Sequence, residues 1–243
     1  MKIADLNDFT RVFQTFLDQG PEQKQIIEEG RDIVKELVSA PGWLNETLER
    51  LILDNDFLDG QWHSVDPNEI TLFRSSDRSF SVRAFIWEPR RFYPIHDHGS
   101  WGLVGVYFNQ ARERKFERID DGSIEGQGEV RLTGEGILGK GGTTYVLPIN
   151  DGIHQVEAVD DLAAVTIHVY GKPVRTGYIQ LYNVHNHTVY RAYPPNVLQR
   201  ILAIRTLGSV NEPWAVQVLQ EARNKTKKDF VKMECDISLS RRY

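Results

Sequence analysis

The stretch PIHDHGSWG, residues 94–102, places His96 and His98 two positions apart, with Asp97 between them. In an extended strand, residues i and i+2 share a face. Both imidazoles then point together and Asp97 points the other way. Two imidazoles on one face can fill adjacent positions around one metal ion, and neutral imidazole suits iron, zinc, copper or nickel. The third ligand must come from another strand. His154, in PINDGIHQVEAV, is the best candidate: it follows the Asp151-Gly152 turn and opens an apolar run. A second pair of the same spacing, His185 and His187 in YNVHNHTVY, competes with the first. Asn186 and Thr188 mark it as a polar edge or loop, but spacing alone does not rank the two pairs. A buried histidine is more often a packed, hydrogen-bonded side chain than a ligand, so metal binding and simple packing both stay open for the 96/98 pair. A further row, Thr166, His168 and Tyr170 in AAVTIHVYG, alternates with apolar neighbours. On one strand a hydroxyl, an imidazole and a phenol would align as a hydrogen-bond chain beside a metal. The alternative is a sheet surface that happens to be polar.

Three textures of sequence would position these groups. Over residues 1–58, Leu6, Phe9, Val12, Phe13, Phe16 and Leu17 recur at helical spacing, and Pro41-Gly42 breaks a second helix that follows Pro21. Over 59–193, short runs rich in β-branched and aromatic residues (SFSVRAFIW, GLVGVYF, ARERKFERI, GEVRLTGEGIL, TTYVLP, HQVEAV, AAVTIHVY, GYIQLY) alternate with turn signals such as Asp121-Gly122 and Gly141-Gly142. That pattern reads as an all-β sandwich or barrel. Over 194–243, after Pro194-Pro195, helical spacing returns with Leu198, Ile201, Leu202 and Ile204, then with Trp214, Val216, Val218 and Leu219. The pair suggests one HEAT-type hairpin, but a lone copy is no repeat array. A helical cap or a dimer contact is the preferred reading, and a second copy of this chain is a candidate partner.

Bulk composition narrows the function classes. The chain has 243 residues, 40% hydrophobic and 26% charged, with a net charge of −5. That is enough for one large domain with an appendage, and it argues against a nucleic-acid partner. Arg223, Lys225, Lys227 and Lys228 read as a solvated helix end. The acidic N-terminus is unlike a signal peptide, and no run approaches the roughly 18 apolar residues of a spanning helix. A single cysteine, Cys235, leaves no internal disulfide or multi-cysteine zinc site. It sits in what reads as a polar tail and is expected to be chemically idle. A cytoplasmic protein with no membrane partner is the expectation.

Taken in order over roughly residues 70–182, four motifs resemble the cysteine dioxygenase-like thiol dioxygenases of the cupin superfamily. PIHDHGSWGLVGV is similar to the first metal motif, above all in the bacterial branch, where Trp-Gly follows the histidine pair. GTTYVLPINDGIHQVEAV is similar to the second motif, TIHVYG to a strand ending in His-hydrophobe-Tyr, and FRSSDRSFSVRAFIW to the strand pair carrying a substrate-carboxylate arginine, here Arg74. The resemblance implies a mainly β, double-stranded β-helix (jelly-roll) barrel with Fe(II) held by His96, His98 and His154. It implies oxidation of a small thiol carboxylate, cysteine or 3-mercaptopropionate, to its sulfinate by O₂. Tyr170 would donate a hydrogen bond to substrate or oxygen with His168 and Thr166 behind it, and Arg74 would take the carboxylate, with Arg83 and Arg175 as alternatives. The chain departs from wider patterns at three places. Gly102 and Leu103 stand where most cupins carry a glutamate ligand, which leaves three neutral ligands and three open coordination positions. Nothing near Gly102 can form the cysteine–tyrosine link of the animal enzymes, and Leu72 replaces their tyrosine before the arginine. Rival readings on the same barrel are a sensor that binds metal and ligand without turnover, and an isomerase using zinc or nickel.

Overall fold

Asp5 begins the first helix, α1 (Leu6–Leu17), by accepting a hydrogen bond from the Asp8 backbone N–H at 2.9 Å. Its buried face is Phe9, Phe13 and Phe16. Helix α2 (Gln23–Ser39) opens with a reciprocal Glu22/Gln25 capping box and buries Ile26, Val34, Leu37 and Val38. Two short helices follow, α3 (Asn45–Leu53) and α4 (Asn55–Asp59). The computed structural model describes residues 2–61 and 64–240; Met1, Trp62, His63 and residues 241–243 lie outside the described residues.

Eleven strands follow among the described residues: β1 (Glu69–Arg74), β2 (Phe80–Trp87), β3 (Ile95–His96), β4 (Gly102–Phe108), β5 (Ala111–Arg118), β6 (Val130–Leu138), β7 (Thr143–Val146), β8 (Ile153–Ala158), β9 (Ala164–Gly171), β10 (Ile179–Asn183) and β11 (Thr188–Ala192). They form two antiparallel sheets, ordered β1-β2-β9-β4-β7 and β11-β10-β3-β8-β5-β6. The eight strands β2 to β9 supply β2-β9-β4-β7 to one sheet and β3-β8-β5-β6 to the other, the winding of a jelly roll. The architecture is mainly β with helices at both ends, as the sequence implied. Each of the eight expected strand runs forms a strand.

The first sheet is buried on both faces. Its outer face packs on α1 and α2, where Val82, Ala84, Leu103, Ile167 and Val169 meet Phe9, Phe13, Val34 and Val38. Its inner face looks into the barrel. All eight residues of β9 are buried, so its alternation separates two buried environments rather than core and water. Val165, Ile167 and Val169 go to the helices; Thr166, His168 and Tyr170 line the interior.

Beyond β11 come α5 (Pro195–Gly208), α6 (Pro213–Lys225) and α7 (Asp229–Ser240). One expectation is corrected here. Residues 229–240 are a helix, not a polar tail, and Cys235 is fully buried in it beside Ile201, Leu219 and Tyr193. The helix escapes notice because its packed face carries Glu234 and Ser238 with Val231 and Cys235; Glu234 is satisfied by Tyr193 and Arg205. Within the two helical runs, Leu198, Leu202, Trp214 and Val218 are 37–52% exposed, and Ile201, Ile204, Ala215 and Leu219 carry the packing. Arg223 and Lys225 end α6 exposed, as a solvated helix end should. Among the described residues no helix is long and apolar enough to cross a membrane.

Candidate metal centre and cavity

Antiparallel pairing brings the three histidines together. β3 runs between β10 and β8, and His96 lies directly opposite His154. His98 sits just past the end of β3, and its carbonyl accepts from the Ile149 N–H at 2.7 Å, which ties it to the turn that delivers His154. The ring centroids of His96, His98 and His154 are 4.7–5.0 Å apart. All three residues are buried, and their ligand nitrogens lie within 4.8 Å of one another. The His98 and His154 Nε2 atoms are 2.9 Å apart.

Hydrogen bonds on the far side of two rings fix which nitrogen is free. His96 Nδ1–H donates to the Pro94 carbonyl at 3.0 Å, and His154 Nδ1–H donates to Glu113 Oε1 at 2.8 Å. Each leaves Nε2 as a lone-pair donor toward the common centre. Burial, with the charges of His96 and His154 adding to it, holds His98 well below its ordinary pKa. Burial also lowers His154, against the pull of Glu113. Both rings are therefore neutral, the form that ligates. Burial pushes the Glu113 carboxyl up, but its bonds to His154 and Thr144 and the nearby Lys115 charge outweigh that and bring it down. Glu113 is thus an ionised acceptor, and Thr144 donates to its other oxygen at 2.6 Å. This donor set fits a first-row divalent metal.

Asp97 points away from the histidines, as strand alternation requires, yet it is fully buried. It takes both terminal nitrogens of Arg175, at 2.7 and 2.5 Å, and the Gln180 N–H at 2.7 Å. Burial works against the Arg175 charge, but the Asp97 carboxylate outweighs it and raises its pKa. The Gly99 carbonyl accepts from Val174 and Arg175. A Cβ at residue 99 would stand 2.1 Å from the Arg175 carbonyl, so only glycine lets the two segments meet.

The Thr166, His168 and Tyr170 row is a continuous hydrogen-bond chain. Thr166 Oγ1 and His168 Nε2 are 2.8 Å apart, and His168 Nδ1 and the Tyr170 hydroxyl are 2.9 Å apart. Trp87 Nε1–H donates to Thr166 Oγ1 at 2.8 Å. The direction follows from proton accounting. Thr166, fully buried and already accepting from Trp87, donates to His168 Nε2; His168 Nδ1–H then donates to Tyr170. The Tyr170 proton is left free for the interior. Burial drives His168 well below and Tyr170 well above their ordinary pKa values, so both are neutral. The Tyr170 ring centroid is 5.0 Å from that of His98. Gly102 lies opposite Tyr170 in the sheet, and a Cβ there would come within 2.7 Å of the Tyr170 ring.

A cavity of about 660 Å³ opens onto His98 and Tyr170 and is lined by Arg74, Arg83, Arg175, Asp66 and Glu69, among others. A β-bulge decides where Arg74 goes. Thr71 pairs with Arg83, but Phe73 pairs with Val82 and Arg74 with Ser81, so Leu72 is extra. Without that insertion Arg74 would share the outer face with Ile70. With it, Arg74 stands in one row with Ser81 and Tyr170 on the inner face, exposed at the cavity rim. His185 and His187 join no metal-ligand cluster among the described residues. They lie exposed in the turn between β10 and β11.

Sequence reading missed Glu113, Trp87 and the Asp97–Arg175 pair. Glu113 sits in ARERKFERI, where inward parity with Ala111 was the only signal.

No family model matches the chain. Solved structures similar to it include an HTH_3 family transcriptional regulator from Vibrio cholerae (16% identity, 51% of this chain and 62% of that one, TM-score 0.32). Others are hydroquinone 1,2-dioxygenase PnpCD in complex with Cd²⁺ and 4-hydroxybenzonitrile (10%, 48% and 71%, 0.34) and a cupin 2 conserved barrel domain protein from Salinispora arenicola (16%, 45% and 80%, 0.32). This chain spans under two thirds of the regulator's own length. These proteins differ in function, and the chemistry here rests on the site itself.

Proposed function

We propose that the protein is an iron-dependent thiol dioxygenase that converts a small thiol carboxylate to its sulfinate, R–SH + O₂ → R–SO₂H. One observation supports the reading: His98 of an all-imidazole triad opens onto the same cavity as Tyr170, a phenol whose proton a buried relay leaves free for the interior. A site that only binds has no use for that relay. Fe(II) on His96, His98 and His154 would supply thiol acidification and O₂ chemistry. The chain's own residues do the rest. Glu113 and the Pro94 carbonyl hold two ligand rings in the correct tautomer. Trp87, Thr166 and His168 orient the Tyr170 hydroxyl as a hydrogen-bond donor toward substrate. A guanidinium group on the cavity wall would receive the carboxylate, and side-on pairing gives that contact its direction.

The test is O₂ consumption by iron-loaded protein with cysteine and with 3-mercaptopropionate, with the sulfinate identified by mass. Turnover of either supports the reading; full iron loading with no turnover of any small thiol overturns it. Tyr170→Phe should lower turnover by about 10–100-fold while iron affinity stays within about twofold. Elemental analysis after anaerobic, iron-replete purification separates iron from zinc or nickel.

A further inference from the structure

Four arginines line the cavity: Arg74, Arg78, Arg83 and Arg175. Their free edges differ. Arg175 has committed both terminal nitrogens to Asp97. Arg74 and Arg78 lie exposed at the rim. Arg83 is on the inner face of β2, directly opposite His168, with its guanidinium carbon 5.1 Å from the centre of the Tyr170 ring.

Arg83 is also half used. Its Nη1–H donates to Glu69 Oε2 at 2.9 Å, and Ser64 Oγ–H donates to the same oxygen at 2.5 Å. Its Nε is buried with no partner among the described residues, a costly arrangement unless a ligand completes it. Nε–H and Nη2–H lie on one edge of the guanidinium and form the parallel pair that matches a carboxylate. Glu69, gripping Nη1 alone, fixes the plane and leaves that edge open. Asp66, on the same wall, is pushed toward its neutral form by burial, with Glu69 adding to the push and His96 and Arg83 opposing it.

We propose that the Nε–Nη2 edge of Arg83, not Arg74, receives the substrate's carboxylate, with Glu69 as the positioning residue. The carboxylate then lies inside the barrel next to Tyr170, and Arg74 is left at the entrance. This rests on the reading of the site as one for thiol carboxylates.

Calorimetry on anaerobic, iron-loaded protein tests it with two thiols: 3-mercaptopropionate, which has a carboxylate, and cysteamine, which has none. Arg83→Lys keeps the charge and loses the paired edge. It should weaken 3-mercaptopropionate at least tenfold and leave cysteamine within twofold. Arg74→Gln should leave both within threefold. The paired variant Arg83→Gln/Glu69→Gln strands no buried acid and should show the same selective loss. The proposal is overturned if Arg74→Gln takes the loss, if Arg83 variants weaken both thiols alike, or if the unaltered protein fails to bind 3-mercaptopropionate. Selective, Arg83-dependent binding without oxidation in air would sink the dioxygenase reading alone. Oxidation that ignores Arg83 would sink this proposal alone.

Discussion

His96-Asp97-His98 and His185-Asn186-His187 have the same spacing and opposite fates. The first pair is buried at the end of a strand flanked on both sides, opposite a third imidazole. The second is in an exposed turn, with His187 in the left-handed region at φ 51°. Each has a glutamate nearby. Glu113 is buried and 2.8 Å from His154; Glu129 is half exposed and 3.8 Å from His187. Spacing, then, does not make a ligand pair. What does is the partner strand, together with burial of both rings, which holds His98 neutral.

The sharpest way to break this contrast is to delete the rings. His96→Ala or His154→Ala should lower metal affinity by well over ~100-fold, beyond the ~10–100-fold typical of losing a supporting residue. His185→Ala/His187→Ala should leave it unchanged, as read by metal content after dialysis against a weak chelator. The middle residues come next. Asp97→Asn strands the buried Arg175 charge and should cost about 3–5 kcal/mol of stability in urea unfolding, whereas Asn186→Ala should cost within about 0.5 kcal/mol. The glutamates follow. Glu113→Gln should weaken metal binding ~10–100-fold, and Glu129→Gln should do nothing measurable.

The smallest effect per group is acid sensitivity. His98, His154 and His168 are held neutral in the folded protein, with burial the leading cause in each. The unfolded chain takes up protons near pH 6.5 that the folded one refuses. Stability of metal-free protein is therefore full above that pH and falls as pH drops below it, by at most about 1.4 kcal/mol per pH unit for each histidine. Urea midpoints at pH 7.5, 6.5 and 5.5 that do not fall would contradict this.

Much of this was legible in the sequence because period-two runs broken by Gly, Asn and Asp are strong strand signals. His154 also stood out by opening such a run after a tight turn. The polar row on β9 was legible as a row; its burial was not, since that strand is covered on both faces, the row by the barrel interior and its apolar neighbours by the helices. The orientation of Arg74 was hidden because one inserted residue, Leu72, reverses the parity of everything after it. Helix α7 was hidden because its packed face includes a hydroxyl and a carboxylate, and the partners of that carboxylate lie more than 25 residues away in sequence. Glu113 looked like one more member of a charged strand, and nothing local says that its two oxygens are spoken for.

Asp97 has a mechanical consequence. It sits between two ligand positions yet grips Arg175, a wall of the entrance. The mouth and the floor of the barrel thus share one rivet. Any motion that widens the way in would pull on the segment carrying both imidazoles, so a bulky visitor at the doorway would be felt at the two rings before it reaches them.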